Sequence, residues 1–316
     1  MQLQTNIPFV KEPYNPINYE SKVCLLGSCF SEHIGGKLAY YKFNTFQNPL
    51  GILFHPKAIE NLILKAMNQE AYSEADLFFL NERWHCFEAH SVLSHTDKNI
   101  LLGNLNSSIQ RTYDFLKKAS HVIITLGTAW TYRHIETDTL VANCHKVPQK
   151  EFLKELLSVD EVAASVENCV VLLRSINPKL TILFTVSPVR HLKDGFVENQ
   201  RSKAHLLAGI HQHVSAHHLV HYFSSYELML DELRDYRFYA DDMLHPNALA
   251  VNYIWEKFQH AWISHESEHT MMEIDSIQKG LAHKPFNPNS AQHQQFIANL
   301  HAKIEQLQQK NPNIIF

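Results

Sequence analysis

The sequence has no excess of positive charge and no long apolar run, and each absence excludes a class of partner. Its 316 residues carry a formal net charge of -4, and Lys and Arg are scattered without a basic stripe. The electrostatic footprint of a nucleic-acid binder is therefore missing. No apolar run approaches the roughly 20 residues that a membrane-spanning helix needs. We expect neither nucleic acid nor a membrane span, and the sequence leaves the oligomeric state open.

Paired cysteine motifs are also missing. The five cysteines are an odd number without CxxC spacing, which argues against a disulfide framework and a structural zinc site. The first residues, Met1 to Pro8, show neither the basic region nor the apolar region of a secretory signal. Together these features predict a reduced, cytoplasmic protein. The cysteines are Cys24, Cys29, Cys86, Cys144 and Cys169.

Short apolar runs alternate with segments of helical periodicity. This alternation predicts βαβ units, and hence an α/β fold with a mainly parallel central sheet of about five strands. The predicted strands are residues 23–26, 122–126, 180–186 and 219–223. The predicted helices are residues 30–41, 56–67, 106–118, 150–176, 199–216 and 246–263. Pro56 and Pro246 are expected in the first turns of their helices.

The chain shows no internal repeat and no low-complexity linker, which favours one elaborated domain over residues 1–263. An insertion near residues 70–105 interrupts the alternation and is a candidate lid or wall of the site. From residue 264 to 316 the composition turns polar. This last segment is predicted to be a partly helical C-terminal appendage.

The first chemical constellation is the turn Gly27-Ser28-Cys29-Phe30, where an apolar strand ends and a helix begins. Such a junction holds a hydroxyl or thiol near backbone N–H groups that can stabilise an oxyanion. Ser28 and Cys29 are therefore candidate nucleophiles. The alternative is structural, with Ser28 capping the helix and Cys29 packed inside.

The second constellation is Asp242-Met243-Leu244-His245. A carboxylate three residues before an imidazole can accept a hydrogen bond from its Nδ1–H, which leaves Nε2 as a base. The alternative is a helix start in which Asp242 is a cap. A candidate nucleophile near one end of the chain and a candidate acid–base pair near the other indicate a catalytic site more specifically than either motif alone.

These motifs resemble a known family. The turn Gly27-Ser28-Cys29-Phe30-Ser31 is similar to the signature of the GSCFA-domain proteins, a bacterial group placed among the SGNH (GDSL-like) hydrolases. The Asp242 to His245 segment resembles the terminal D-x-x-H block of that superfamily, and the likeness spans roughly residues 21–262. It implies a three-layer αβα, flavodoxin-like fold and ester hydrolysis without cofactor or metal.

The implied substrate is a small-molecule or glycan ester. Two alternatives stay open: an acyltransferase to a sugar hydroxyl, and a non-catalytic glycan-binding scaffold. In the G-D-S-L turn of the superfamily the nucleophilic serine is the second residue after Gly, and Cys29 stands at that position. The resemblance thus favours Cys29 slightly over Ser28, and both are retained.

The resemblance also implies an oxyanion hole. Gly51 and Gly127 match positions that contribute to it, but Ala129 stands where the superfamily has Asn. Thr128 or Asn143 would have to replace that donor. Each of these residues has a structural alternative in a turn or loop.

Arg190 and His191 follow the third predicted strand, at the edge of the sheet where ligand-binding groups collect. They are candidates to orient a carboxylate, phosphate or sugar group, with a plain surface loop as the alternative. A group of five histidines lacks both metal-binding spacing and carboxylates, and no metal is predicted there. The group is His211, His213, His217, His218 and His221.

Overall fold

Strands and helices alternate along the chain in the computed structural model, which describes residues 5–214 and 219–316. The strands of these residues are β1 (Lys22–Gly27), β2 (Asn44–Gln47), β3 (Leu77–Leu80), β4 (Arg83–Cys86), β5 (His121–Leu126), β6 (Trp130–His134), β7 (Thr139–Val141), β8 (Phe152–Leu156), β9 (Thr181–Val186) and β10 (Val220–Tyr222). The helices are α1 (Cys29–Tyr40), α2 (Pro56–Asn68), α3 (Lys98–Leu116), α4 (Val159–Ile176), α5 (Phe196–Val214), α6 (Ser225–Glu227), α7 (Ala248–Trp262), α8 (His265–Ala282) and α9 (Ala291–Lys310).

Five parallel strands form the central sheet in the order β2-β1-β5-β9-β10. This is the flavodoxin-like arrangement, in which the first strand of the sheet lies between the second and the third. Gly27 pairs with Thr125, and Leu126 pairs with Val186. The carboxyl ends of β1, β5 and β9 therefore meet at one edge, where the loops that follow them come together.

Both faces of the sheet are buried, which makes the fold three-layered. In β1, Cys24 and Leu26 point into the apolar cluster that includes residues of α2 to α5. Val23 and Leu25 point the other way, into a cluster shared with α1, α7 and α8. Near-continuous apolar strands are what a parallel sheet covered on both faces requires. The predicted fold class, an αβα sandwich with a parallel sheet, is confirmed.

The structure departs from the predicted elements in several places. The helix expected over residues 150–176 is in fact β8 followed by α4, because residues 152–156 pair antiparallel with β6 and the Ser158 side chain then caps α4. Strand β2 is not among the predicted strands because its sequence, Asn-Thr-Phe-Gln, has little apolar character. Pro56 does open α2, but Pro246 precedes the cap of α7, which is Asn247.

The C-terminal segment packs on the main body. Met271, Ile274 and Ile277 of α8 are buried in the same apolar cluster as Trp255 of α7. Within α9 only Leu300 and Leu307 are buried. The division of the chain at residue 263 stays a prediction. Among the described residues no helix combines the length and the apolar character that crossing a bilayer demands.

Candidate active site

The turn after β1 depends on Gly27. Its φ is +127°, and a Cβ at this position would collide with the carbonyl group of Thr125. Only glycine suits this backbone, because other residues rarely adopt such a φ and have no room here. The amide of Gly27 donates to Asn48 Oδ1 at 2.9 Å. This bond ties the end of β1 to the loop that follows β2.

Ser28 is fully buried and caps α1. Its Oγ accepts a hydrogen bond of 3.3 Å from the amide of Phe30, and its own amide donates to Thr125 O at 3.0 Å. Its carbonyl oxygen accepts from the hydroxyl of Ser31 at 2.7 Å. The Ser28 hydroxyl therefore has the structural function that the sequence allowed as an alternative.

Cys29 is the first residue of α1, and its side chain is only partly buried. Burial raises the pKa of its thiol, the nearby Glu32 raises it further, and Lys203 together with the first amides of α1 lowers it. The balance is a raised pKa, so the group rests as a thiol at neutral pH. A base must remove its proton before it can attack.

Asp242 and His245 form a hydrogen-bonded pair, with His245 Nδ1 2.6 Å from Asp242 Oδ2. The other carboxylate oxygen accepts from the amides of Leu244 and His245 at 2.8 and 3.0 Å. These bonds, led by the His245 amide, lower the pKa of Asp242 to about 2. The charged carboxylate is thus placed to accept a hydrogen bond from Nδ1–H, and Nε2 points away from it.

The loop after β9 contacts the segment that carries this pair. The amide of Arg190 donates to Leu244 O at 3.1 Å, so the segment before His245 lies against that loop. Burial lowers the pKa of the imidazoles of His33 in α1 and His191 in the same loop, and repulsion from His245 adds to both shifts. His245 therefore lies within electrostatic range of both rings.

The amides expected in the oxyanion hole are engaged within the protein. Gly51 N–H donates to Asn48 O at 2.7 Å, and the amides of Gly127 and Thr128 donate to Phe54 O at 2.7 and 3.1 Å. The Thr128 hydroxyl lies 3.0 Å from that of Ser202. The oxyanion roles of Gly51, Gly127 and Thr128 stay predictions.

A cavity of about 590 Å³ with aromatic walls is lined in part by the loops after β5 and β9, but Cys29 and His245 are not among its lining residues. Of the predicted binding residues, Thr128, Asn143 and His191 line it. Its walls come from residues 54–55, 128–152 and 191–194, and not from the insertion near 70–105 that was expected as a lid or wall. The guanidinium of Arg190 lies instead over the ring of Tyr239, 4.1 Å from its centroid.

Lys203 lies at this site but is not among the residues that the sequence motifs predict. Its ammonium is buried in α5 and donates to Gly127 O and Ser187 O, both at 2.7 Å. Burial lowers its pKa to about 7, and Cys29 partly offsets that shift. A signal was present, because Lys203 lies on the same helical stripe as the buried Leu206 and Ile210. A lysine on such an apolar stripe indicates a buried cation.

No arrangement of three or more His, Cys, Asp or Glu side chains suited to a metal ion occurs in residues 5–214 and 219–316. His217 and His218 of the histidine group lie outside the described residues. His213 of the same group lies 2.8 Å from Glu167.

The fold and the turn define a three-layer α/β protein with a thiol and a hydrogen-bonded Asp–His pair on loops at the carboxyl edge of its sheet. The GSCFA family matches residues 22–258, and the C-terminal domain of GSCFA domain proteins matches residues 274–316. The chain therefore belongs to the GSCFA family. No curated protein matches it.

Several solved structures are distantly similar. A carbohydrate esterase of family 3 from Talaromyces cellulolyticus is 10% identical with a TM-score of 0.36, over 81% of this chain and 99% of its own. A mutant acetyl esterase with acetate ion is 10% identical with a TM-score of 0.37, over the same shares. An acetyl xylan esterase from the rumen bacterium Butyrivibrio proteoclasticus is 12% identical with a TM-score of 0.31, over 88% and 66%. These likenesses are too distant to inform the chemistry.

Proposed function

We propose that this chain is an esterase-like acyl hydrolase in which Cys29 is the nucleophile, His245 the general base and Asp242 the residue that orients it. One observation carries the proposal. A histidine held by a charged carboxylate at 2.6 Å lies at the sheet edge that carries a partly exposed thiol. The neighbouring hydroxyl of Ser28 is buried and engaged as a helix cap.

The reaction follows from these groups. His245 Nε2 takes the proton of the Cys29 thiol as the sulfur attacks the ester carbonyl, and the electron pair of the C=O bond moves to oxygen. When the carbonyl re-forms, the C–O bond breaks and His245 gives its proton to the leaving alcohol. Water, deprotonated by the same imidazole, then attacks the thioester carbonyl; the C–S bond breaks, the acid leaves, and the sulfur takes the proton back from His245.

Because the pKa of Cys29 is raised, its proton must pass to His245 as the sulfur attacks. A thiol that is not ionised beforehand must lose its proton as it attacks, so the position of His245 controls the rate. Lys203, when protonated, favours the thiolate electrostatically. Catalysis also needs a reduced thiol, and all five cysteines are free. This suits a reducing compartment such as the cytoplasm.

The cavity that Thr128 and His191 help to line supports a small-molecule or glycan ester as substrate. Aromatic side chains including Trp130 and Tyr132 form its walls, with Asn143 and Gln149 as polar groups between them. Concave sites with apolar walls and a few fixed polar groups are the usual form of small-ligand sites. The ammonium of Lys154 lies 4.3 Å from the centroid of the Trp130 ring and is paired with the carboxylate of Asp194, so this wall carries a neutralised ion pair behind its aromatic ring.

The test compares Cys29→Ala, Cys29→Ser and Ser28→Ala. We expect Cys29→Ala to abolish both p-nitrophenyl acetate turnover and labelling by iodoacetamide at this site, as located by mass spectrometry. Ser28→Ala should keep measurable turnover, and Cys29→Ser should retain a small part of it because a hydroxyl is the poorer nucleophile here.

Two results would contradict this assignment. Activity lost in Ser28→Ala but kept in Cys29→Ala would make Ser28 the nucleophile, with His245 still the base. A wild-type chain that cleaves none of several aryl and sugar acetates, and whose Cys29 is not labelled, would favour the non-catalytic glycan-binding scaffold.

A further inference from the structure

A tetrahedral intermediate at Cys29 needs hydrogen-bond donors for its oxygen, and the nearby backbone offers few. The amides of Ser28, Gly51 and Gly127 all donate to carbonyl oxygens within the protein. The Cys29 amide is in the first turn of α1, where N–H groups have no acceptor inside the helix. It supplies one donor, and a single donor is a weak oxyanion hole.

The side chain that usually adds a donor is missing from this chain. Ala129 stands at the position where the SGNH superfamily has Asn, and it is fully buried with its amide bonded to Ser202 Oγ at 2.7 Å. Thr128 Oγ1 already contacts Ser202 and accepts from Trp130 N at 3.0 Å. Lys203 Nζ donates to two carbonyl oxygens. Ala129 therefore offers no side-chain donor and Thr128 is already engaged, while Lys203 as an ammonium has at most one N–H beyond the two it uses.

His191 has an unused polar atom at the same place. Its Nε2 is buried and has no hydrogen-bond partner in the part of the chain that the structure describes. A Cβ built on Gly127 would lie 3.3 Å from this nitrogen and 3.2 Å from the Cβ of Ser28. The nitrogen thus faces the nucleophile turn across a gap that exists because residue 127 is glycine. A buried polar atom without a partner is costly unless a ligand supplies one.

We propose that His191 is a catalytic residue of this site. Its Nε2–H donates a hydrogen bond to the oxyanion and takes the place of the Asn side chain that is absent at position 129. The role rests on the proposed function, because the oxyanion arises only if Cys29 attacks a carbonyl. During the attack the C=O electron pair moves to oxygen, which the N–H groups of Cys29 and His191 then hold. His191 keeps its proton throughout, and His245 alone transfers protons.

The electrostatic surroundings of His191 suit a neutral donor. Burial, with Lys203 and His245 adding to it, lowers its pKa to about 3, and Asp194 only partly opposes them. The ring is therefore uncharged at neutral pH and carries one N–H. Neutral imidazoles serve as electrophiles at developing oxyanions in other enzymes. The ring is also held in place, since its edge packs on Phe54 and its backbone amide donates to Asn199 Oδ1 at 2.8 Å.

The experiment compares His191→Phe, which keeps an aromatic ring without a donor, with His191→Gln, which keeps a donor. Two rates are measured for each variant: kcat for p-nitrophenyl acetate and the rate of Cys29 alkylation by iodoacetamide. Alkylation displaces iodide at a saturated carbon and forms no oxyanion. We expect kcat to fall about 100-fold in His191→Phe with KM little changed, a smaller loss in His191→Gln, and alkylation close to wild type in both.

Each other outcome points to a specific error. Full turnover in His191→Phe, while Cys29→Ala is inactive, overturns the role of His191 and leaves the nucleophile in place. An alkylation rate that falls in proportion to kcat in both variants shows that His191 only shapes the turn, which also overturns the role. Full turnover in Cys29→Ala overturns the proposed function itself, and with it the oxyanion that His191 would bind.

Discussion

Lys203 Nζ donates a 2.7 Å hydrogen bond to the carbonyl oxygen of Gly127, at the carboxyl end of β5. An equal bond to Ser187 O joins the loop after β9 to the same ammonium. One buried lysine thus joins two strand ends next to the turn at Gly27. Burial raises the pKa of the Cys29 thiol, and the same ammonium partly opposes that rise. Lys203 therefore affects both the packing of this sheet edge and the ionisation of Cys29.

Lys203→Met should change how stability depends on pH. The pKa of Lys203 is about 7 in the folded chain, against an ordinary value of 10.5. Between these pH values Lys203 is protonated in the unfolded chain and neutral in the folded chain. The free energy of unfolding therefore rises with pH, by up to about 1.4 kcal/mol per pH unit from this one group. Lys203→Met should remove that rise, measured by urea unfolding from about pH 7.5 to 9.5. The exposed Lys150→Met serves as the control, and equal slopes in all three chains would contradict the prediction.

Asp242→Asn should lower kcat about 10³- to 10⁴-fold, because an amide facing Nδ1 favours the wrong imidazole tautomer. The neighbouring Asp241→Asn is the matched control and should keep near-wild-type turnover. Since the pKa of Asp242 is about 2, its carboxylate stays charged across the working range. The wild-type pH–rate profile should therefore show no step from Asp242 above about pH 4. Equal rates in the two variants would exclude Asp242 as the orienting residue.

Gly127→Ala should reduce turnover more than stability. The added Cβ would lie 3.2 to 3.3 Å from Phe54 O, Ser28 Cβ and His191 Nε2, and so would fill the gap between the last two. We expect kcat to fall at least about 10-fold because that gap is where charge would develop. Gly103→Ala, exposed on α3 with nothing within 4 Å, is the control and should raise the free energy of unfolding by about 1 kcal/mol without changing kcat. A Gly127→Ala enzyme with full kcat would contradict the expectation.

Ser28→Ala should lower the free energy of unfolding by about 1 kcal/mol, the usual effect of losing a helix cap. Ser290→Ala removes an equivalent cap from α9, where Ser290 Oγ accepts from His293 N at 3.2 Å. Both variants should therefore lose stability in urea titrations, and neither should lose most of its esterase activity. A large loss of kcat confined to Ser28→Ala would show that its hydroxyl takes part in the reaction.

The local parts of the site followed from the sequence alone. Three residues suffice for Asp242 to reach Nδ1 of His245, and a glycine between a strand and a helix suffices to present Cys29. The apolar runs of β1, β5 and β9 are equally clear in the sequence, because strands buried on both faces have few polar positions. Such features depend on neighbours in the chain, so they can be predicted without a tertiary structure.

Other features depend on partners far away in sequence, and only the tertiary structure decided them. The polar strand β2 is a strand because β1 pairs with it, and β8 is extended because β6 pairs with it. The lowered pKa of Lys203 and the unpartnered nitrogen of His191 arise from what surrounds them once the chain is packed. Whether a side chain is buried, and whether it finds a hydrogen-bond partner, depends on residues that are distant in sequence and meet only in the folded chain. No fixed sequence spacing predicts those contacts.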